Sequence, residues 1–161
     1  MYPTGKRACL YAVSFAALLL GACGREPQVA PAASKGCDAP EVRTVVERFG
    51  LALKRVSLLA PMAMLKRDIR RAYAPFVTPQ LLQTWLADPT AAPGRRVSSP
   101  WPARIDVNTV QPAANGACTV TGEIVYVTSV ERAHGGAAAR RAVKLQVINA
   151  NGWRIDAYAA H

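Results

Sequence analysis

The sequence predicts an α+β domain in which three N-terminal helices precede a curved, four-stranded antiparallel sheet. From about residue 40 to 87, apolar residues recur every three or four positions, as they do on one face of a helix. After about residue 104 the period changes to two, the pattern of strands with one buried face. Helices in one block and strands in another are typical of α+β domains. The 161 residues, half of them apolar, provide one core and argue against a second domain.

Helix-start and helix-stop signals divide the first block into three helices. Asp38 and Glu41 match a capping box, and the apolar spacing that follows continues until Pro61. A second helix is expected over 62–74. A third is expected over 80–87, after an N-cap threonine and a first-turn proline.

Four strands follow, and we expect them over 104–110, 118–130, 141–148 and 153–159. Turns at 134–136 and 149–152 should link the last three strands, because their Gly and Asn residues tolerate positive φ. Such short links predict antiparallel pairing. Gly122, within the second strand, marks either a bulge that bends the sheet or an ordinary tolerated glycine.

The N-terminal segment has the three parts of a signal peptide. Lys6 and Arg7 form a positive region, residues 8–20 form an apolar region, and Gly21 and Ala22 are small residues before a cleavage site. The apolar run is short for a membrane-spanning helix, which needs about 20 residues. A cleaved signal peptide over 1–22 is therefore predicted, with a retained anchor or a buried helix as the alternative.

The quartet LGAC at residues 20–23 resembles the lipobox of bacterial lipoproteins. The resemblance implies that Cys23 is lipidated and becomes the first residue of the mature protein, anchored to a membrane by its acyl chains. Residues 24–36 lack periodicity and should form a flexible tether, which leaves 37–161 for the domain. Gly24, rather than Asp, follows the cysteine, which in Gram-negative lipoproteins favours the outer membrane, facing the periplasm.

The order of elements resembles the nuclear-transport-factor-two-like fold of the cystatin-like group, with SSPWPARIDV entering the sheet and GEIVYVTS on the long strand. The resemblance covers 38–159 and implies a cone whose open end takes an apolar molecule or a partner chain. The aromatic residues able to line that open end are Phe49, Trp85, Trp101, Tyr126 and Trp153, each of which has a place in the plain core as its alternative. Trp101, between two prolines, is the preferred rim residue.

Two cysteines, Cys37 and Cys118, remain after processing and lipidation. An even pair outside the cytosol favours a disulfide between the start of the first helix and the second strand. Closing a loop of about 80 residues would stabilise the fold by roughly 4 kcal/mol. The alternative is two separate thiols, one of them buried.

Catalytic and metal-binding patterns are poorly represented. The only histidines are His134, in a predicted turn, and His161 at the end, so a nucleophile with a base and an orienting group has few possible members. No metal-ligand spacing or cofactor motif occurs. Because cone folds of this kind include enzymes that use Asp and Tyr in the cavity, a small enzyme using Asp106 or Asp156 with Tyr126 is the alternative function.

Basic residues outnumber acidic ones by 20 to 10, which gives a formal charge of +10. An envelope protein rarely meets nucleic acid, and no base-stacking motif accompanies the arginines. An anionic lipid surface, lipopolysaccharide or an acidic protein is the expected partner, with an ordinary solvated surface as the alternative. The residues concerned are Lys66, Arg67, Arg70, Arg71, Arg95, Arg96, Arg140 and Arg141.

Together these patterns predict a membrane-tethered, non-enzymatic binding or assembly module. Its expected partner is an envelope protein or a small apolar ligand, and no metal or cofactor is expected.

Overall fold

The structure is a computed structural model that describes residues 36–161, which belong to a unit spanning Ser34–His161. Three helices precede a four-stranded antiparallel sheet, and a fourth, short helix lies in the connection between the second and third strands. The predicted α+β class with four antiparallel strands is confirmed. The predicted signal peptide, Cys23 and the tether up to residue 35 lie outside the described residues.

The three predicted helices are present, although the N-terminal cap of the first differs from the expectation. They are α1, Pro40–Ala52; α2, Met62–Tyr73; and α3, Pro79–Ala87. The predicted capping box of Asp38 and Glu41 is wrong, because the N-cap of α1 is Ala39, whose side chain offers no acceptor. The start of α3 is capped as expected, since the Thr78 hydroxyl accepts a hydrogen bond from the Leu81 N–H at 3.3 Å.

Helix α1 ends earlier than Pro61, the end that the apolar spacing predicts. A 3-10 turn, Leu53–Arg55, follows it, and Val56 then adopts an extended backbone. The Arg95 N–H donates to the Val56 carbonyl, and the Leu58 N–H donates to the Arg95 carbonyl, both at 2.8 Å. Pairing with a distant segment therefore replaces the last helical turns and fixes residues 91–96 against the end of α1.

The sheet has the strand order β1-β2-β3-β4, with every neighbouring pair antiparallel. The strands are β1, Trp101–Pro112; β2, Cys118–Val127; β3, Ala139–Asn149; and β4, Trp153–Ala160. The link between β3 and β4 is the expected turn, with Asn151 and Gly152 at positive φ. The expected extension of β2 to residue 130 is wrong, because Thr128 caps a fourth helix, α4, Ser129–His134, in a capping box with Glu131.

Two glycines allow backbone segments to approach closely inside this fold. A Cβ on Gly50 of α1 would lie 2.4 Å from the Ile105 backbone nitrogen, so α1 rests directly on β1. A Cβ on Gly122 would lie 2.4 Å from the Asp106 carbonyl oxygen. The register shifts by one residue between Val107 and Thr109, opposite Gly122. Of the two interpretations of Gly122, the structure supports the bulge, with the extra residue in β1.

A disulfide joins Cys37 to Cys118, with their Cα atoms 5.6 Å apart. Cys118 is buried at the start of β2, and Cys37 directly precedes the first turn of α1. The predicted disulfide is confirmed, and it links the helical block to the sheet across a sequence separation of 81 residues.

Candidate ligand-binding cavity

A cavity of about 210 Å³ lies between one end of the inner face of the sheet and the segment 91–96. Leu53 and Leu58 complete the wall that faces the sheet. The sheet side of the cavity is lined by Pro102, Ile124, Tyr126, Arg141, Tyr158 and Ala160. The lining therefore combines apolar side chains with four polar ones, those of Arg96, Tyr126, Arg141 and Tyr158.

Strand register explains why these sheet residues meet. In antiparallel strands, alternate residues and their cross-strand partners share a face. Ile124 pairs with Arg141, so both lie on the inner face. Tyr126 follows Ile124 by two positions, and Ala160 follows Tyr158 by two, which keeps these side chains on that face. Three strands therefore direct an arginine and two tyrosines to the same end of the sheet.

Tyr73 holds the opposite wall in place. Its hydroxyl donates a hydrogen bond of 2.5 Å to the Pro93 carbonyl oxygen, and its ring is fully buried. The ring also belongs to an aromatic cluster with Phe49, Trp85 and Tyr158, in which the contacting ring centroids lie 5.1 to 6.1 Å apart. The cluster supports the cavity on both sides, because Tyr73 fixes the segment 91–96 and Tyr158 lines the sheet wall.

The phenols of Tyr73 and Tyr158 stay protonated near neutral pH because their pKa values are raised. Burial raises the pKa of Tyr73 well above 10.0, and the neighbouring Tyr158 raises it further. Burial also raises the pKa of Tyr158, with a smaller contribution from Tyr126, while Arg141 acts in the opposite direction. At pH 7 the Tyr158 hydroxyl is therefore a neutral hydrogen-bond donor in the cavity.

The raised tyrosine pKa values predict a loss of stability at alkaline pH. Above pH 10 the unfolded chain releases the tyrosine protons but the folded chain keeps them, so the free energy of unfolding falls as pH rises. Each buried tyrosine contributes a slope of up to about 1.4 kcal/mol per pH unit. Urea titrations between pH 8 and 11.5 should show a plateau and then this decline, and Tyr73→Phe should remove one such contribution. An equally steep decline in Tyr73→Phe would contradict this assignment.

Two arginines stand at the mouth of the cavity. Arg141 donates from Nε to the His161 main-chain oxygen at 3.3 Å and from Nη2 to the Ala160 carbonyl at 3.1 Å. Arg96 makes only a long contact of 3.5 Å with the Thr90 carbonyl. Within residues 36–161, neither guanidinium forms an ion pair with an aspartate or glutamate.

The five aromatic residues predicted to line the open end do not come together there. Tyr126 lines the cavity, whereas Phe49 and Trp85 are buried inside the aromatic cluster, in the core place that was their alternative. Trp101 is the first residue of β1 and pairs with Val127, on the face opposite Tyr126. Trp153 lines a separate, more open cleft beside Phe76.

The carboxylates of the alternative, enzymatic hypothesis lie away from Tyr126. Asp106 is on the outer face of the sheet, where it accepts hydrogen bonds from Arg104 at 2.7 Å and Arg140 at 3.1 Å. The hydrogen bond from Arg104, supported by Arg140, lowers the pKa of Asp106. Asp156 accepts a hydrogen bond from the Thr78 hydroxyl at 2.8 Å. Neither carboxylate lines the cavity.

The eight predicted anion-binding residues occupy different surfaces. Four of them lie exposed along α2, on a helix that also exposes Met62 and Met64: Lys66, Arg67, Arg70 and Arg71. Arg140 is paired with Asp106 and Glu123 on the outer face. Arg96 and Arg141 stand at the cavity, with the half-buried Arg95 next to Arg96.

Sequence reasoning missed Tyr158 and did not place Arg96 or Arg141 at a cavity. Regular alternation in WRIDAYAA would place Tyr158 on the face opposite the buried Ile155, and a register shift between β3 and β4 turns Tyr158 inward, so the sequence carries no signal for it. The position of the segment 91–96 depends on tertiary pairing and leaves no periodic pattern.

Across residues 36–161, no helix has both the length and the apolar character needed to cross a membrane. The same part of the chain contains no cluster of three His, Cys, Asp or Glu side chains arranged for a metal ion. A scan against protein-family models, a search of curated proteins and a search of solved structures each give no match to this chain.

Proposed function

We infer that this protein is a lipid-anchored, non-enzymatic binding module of a bacterial envelope, which takes a small ligand in the cavity between the sheet and the segment 91–96. The observation that carries this inference is the cavity itself, about 210 Å³ and lined by both apolar and polar side chains. A sheet that faces helices across such a space is the arrangement expected of a nuclear-transport-factor-two-like cone. Small-molecule sites in proteins are typically concave and mostly apolar, with a few polar groups that orient the ligand.

The positions of the carboxylates favour binding over catalysis. A proton-transfer site needs its acid or base within hydrogen-bond reach of the substrate. Asp106 is held by two arginines on the outer face, and Asp156 is held by Thr78, so neither accompanies Tyr126 in the cavity. Binding is therefore the function that the arrangement supports best.

Anchoring follows from the proposed lipid on Cys23. Residues 24–36 span at most about 45 Å when extended, which keeps the domain close to the bilayer. In that position the basic surface of α2, defined by Lys66, Arg67, Arg70 and Arg71, would face anionic headgroups at the periplasmic side of the outer membrane.

The basic surface of α2 predicts salt-sensitive attachment to anionic membranes. Each lysine or arginine near such a surface contributes about 1 kcal/mol at moderate salt. In co-sedimentation of the unit Ser34–His161 with phosphatidylglycerol vesicles, Lys66→Ser with Arg70→Ser should therefore lower the partition coefficient about 30-fold. The pair Arg132→Ser with Lys144→Ser, exposed elsewhere, is the matched control. Binding that is independent of salt, or equally weakened by both pairs, would exclude this surface.

The cavity is tested by filling it. Ala160→Phe places a ring in the cavity, whereas Ala159→Phe places the same ring on the opposite face of β4. We expect native mass spectrometry of the lipid-free unit Ser34–His161, secreted to the periplasm and purified from it, to show a retained small molecule in the wild type and in Ala159→Phe, and none in Ala160→Phe. Circular dichroism establishes that both variants fold. Equal retention by both variants would place the ligand elsewhere, and no retained mass in any of them would count against a ligand-binding module.

A further inference from the structure

We propose that the cavity selects a small molecule with one oxyanion, a carboxylate or a phosphate, attached to an apolar body no larger than about one ring. This inference rests on the proposed function and names the ligand class of the same cavity. It follows from three properties of the lining: arginines without an aspartate or glutamate partner, phenol donors and limited volume.

The first property is positive charge that no aspartate or glutamate side chain pairs with. Arg96 and Arg141 line the cavity, and within the described residues no aspartate or glutamate pairs with either guanidinium. The outer-face arginines differ, since Arg104 and Arg140 both contact Asp106. Arg141 uses Nε and Nη2 for main-chain oxygens, which leaves Nη1 available as a donor. Its main-chain contacts hold the guanidinium in position for an incoming oxyanion, the partner that arginine binds most strongly.

The second property is a pair of phenol donors. The hydroxyls of Tyr126 and Tyr158 make no hydrogen bond to any residue between 36 and 161, although both residues are partly buried. Both residues line the same cavity as Arg141, so an oxyanion there can accept from phenol and guanidinium groups together.

The third property is size. An engineered apolar cavity of about 150 Å³ binds benzene, so a cavity of about 210 Å³ accommodates one ring with a short charged substituent. Leu53, Ile124 and Ala92 supply the apolar contacts for such a body. The acyl chains of a phospholipid are too large for this space, which separates the cavity from the lipid-facing surface proposed for α2.

The experiment compares an anion with its neutral counterpart of the same shape. The full chain, reconstituted in phosphatidylcholine nanodiscs, is titrated with benzoate, phenyl phosphate, benzamide and inorganic phosphate, with empty nanodiscs as the blank. We expect benzoate or phenyl phosphate to bind at least about tenfold more tightly than benzamide, because the charge-assisted hydrogen bonds are lost with the neutral head. Inorganic phosphate should bind more weakly than phenyl phosphate because it lacks the apolar body.

Substitutions in the cavity test whether the probes bind there. Arg141→Gln should weaken binding of the aromatic anion at least about tenfold and leave benzamide unchanged, and Arg141→Lys should give an intermediate loss because it keeps the charge without the planar fork. Tyr158→Phe should weaken binding of the aromatic anion without changing the fold. Arg132→Gln, an exposed arginine on α4, is the matched control and should bind as the wild type does.

Each outcome decides the proposal. If benzoate and benzamide bound equally well and Arg141→Gln changed neither, the requirement for an oxyanion would be overturned and the cavity would be a site for an apolar ligand. Inorganic phosphate that binds as tightly as phenyl phosphate would overturn the requirement for an apolar body. Failure of every probe to bind would overturn the proposed ligand class. The binding function itself would still stand if the wild type retains a small molecule in native mass spectrometry and Ala160→Phe does not.

Discussion

Reduction of the Cys37–Cys118 disulfide is expected to lower the free energy of unfolding by about 4 kcal/mol. The disulfide closes a loop with a sequence separation of 81 residues, so its loss releases much conformational freedom in the unfolded chain. The total stability of a domain is typically about 5 to 15 kcal/mol, so this is a large share of it. Urea titrations of the same protein with and without reductant measure the difference without any change of side chain.

The double variant Cys37→Ala with Cys118→Ala provides the control for this measurement. It should unfold at a low urea concentration that does not change when reductant is added. The buried position of Cys118 adds a packing cost in this variant that reduction of the wild type avoids. If complete reduction left the free energy of unfolding of the wild type unchanged, the disulfide would not stabilise the fold by restricting the unfolded chain.

Sequence periodicity predicted the helices and strands because each buries one continuous face. The spacing of Val42, Val46 and Phe49 corresponds to residues that are fully buried in α1. Periodicity failed where tertiary pairing or a local cap competes with it. Val56 continues the helical spacing but pairs with Arg95 through its backbone, and Thr128 caps α4 although the apolar run had favoured a longer strand.

The candidate site was less predictable than the fold. Alternation with the buried Val143 and Leu145 places Arg141 on the inner face, but only its pairing with Ile124 brings it to the cavity. The bulge opposite Gly122 adds one residue to β1. The alternation of inward and outward side chains therefore shifts by one position beyond the bulge. The cavity also needs the segment 91–96, which Tyr73 holds through the Pro93 carbonyl. Contacts between residues this far apart in sequence follow from the assembled structure.

Phe49→Ala is expected to destabilise the fold by about 4 kcal/mol, a cost typical of large-to-small changes at a buried aromatic residue. Phe49 is fully buried, and its ring centroid lies 5.1 Å from that of Tyr73, 6.1 Å from that of Trp85 and 6.1 Å from that of Tyr158. Truncation removes all three ring contacts and leaves a void that these neighbours fill only in part. Urea denaturation followed by circular dichroism measures the change.

Leu51→Ala, two positions away in α1, is the matched control because its side chain is 51 % exposed. This change should cost less than about 1 kcal/mol, since it removes little buried surface. Phe49→Leu should fall between the two, because it retains apolar volume but loses the ring. If Phe49→Ala cost no more than Leu51→Ala, the aromatic cluster would be able to repack. The rigid support that the cluster gives to Tyr158, and through it to the cavity wall, would then be excluded.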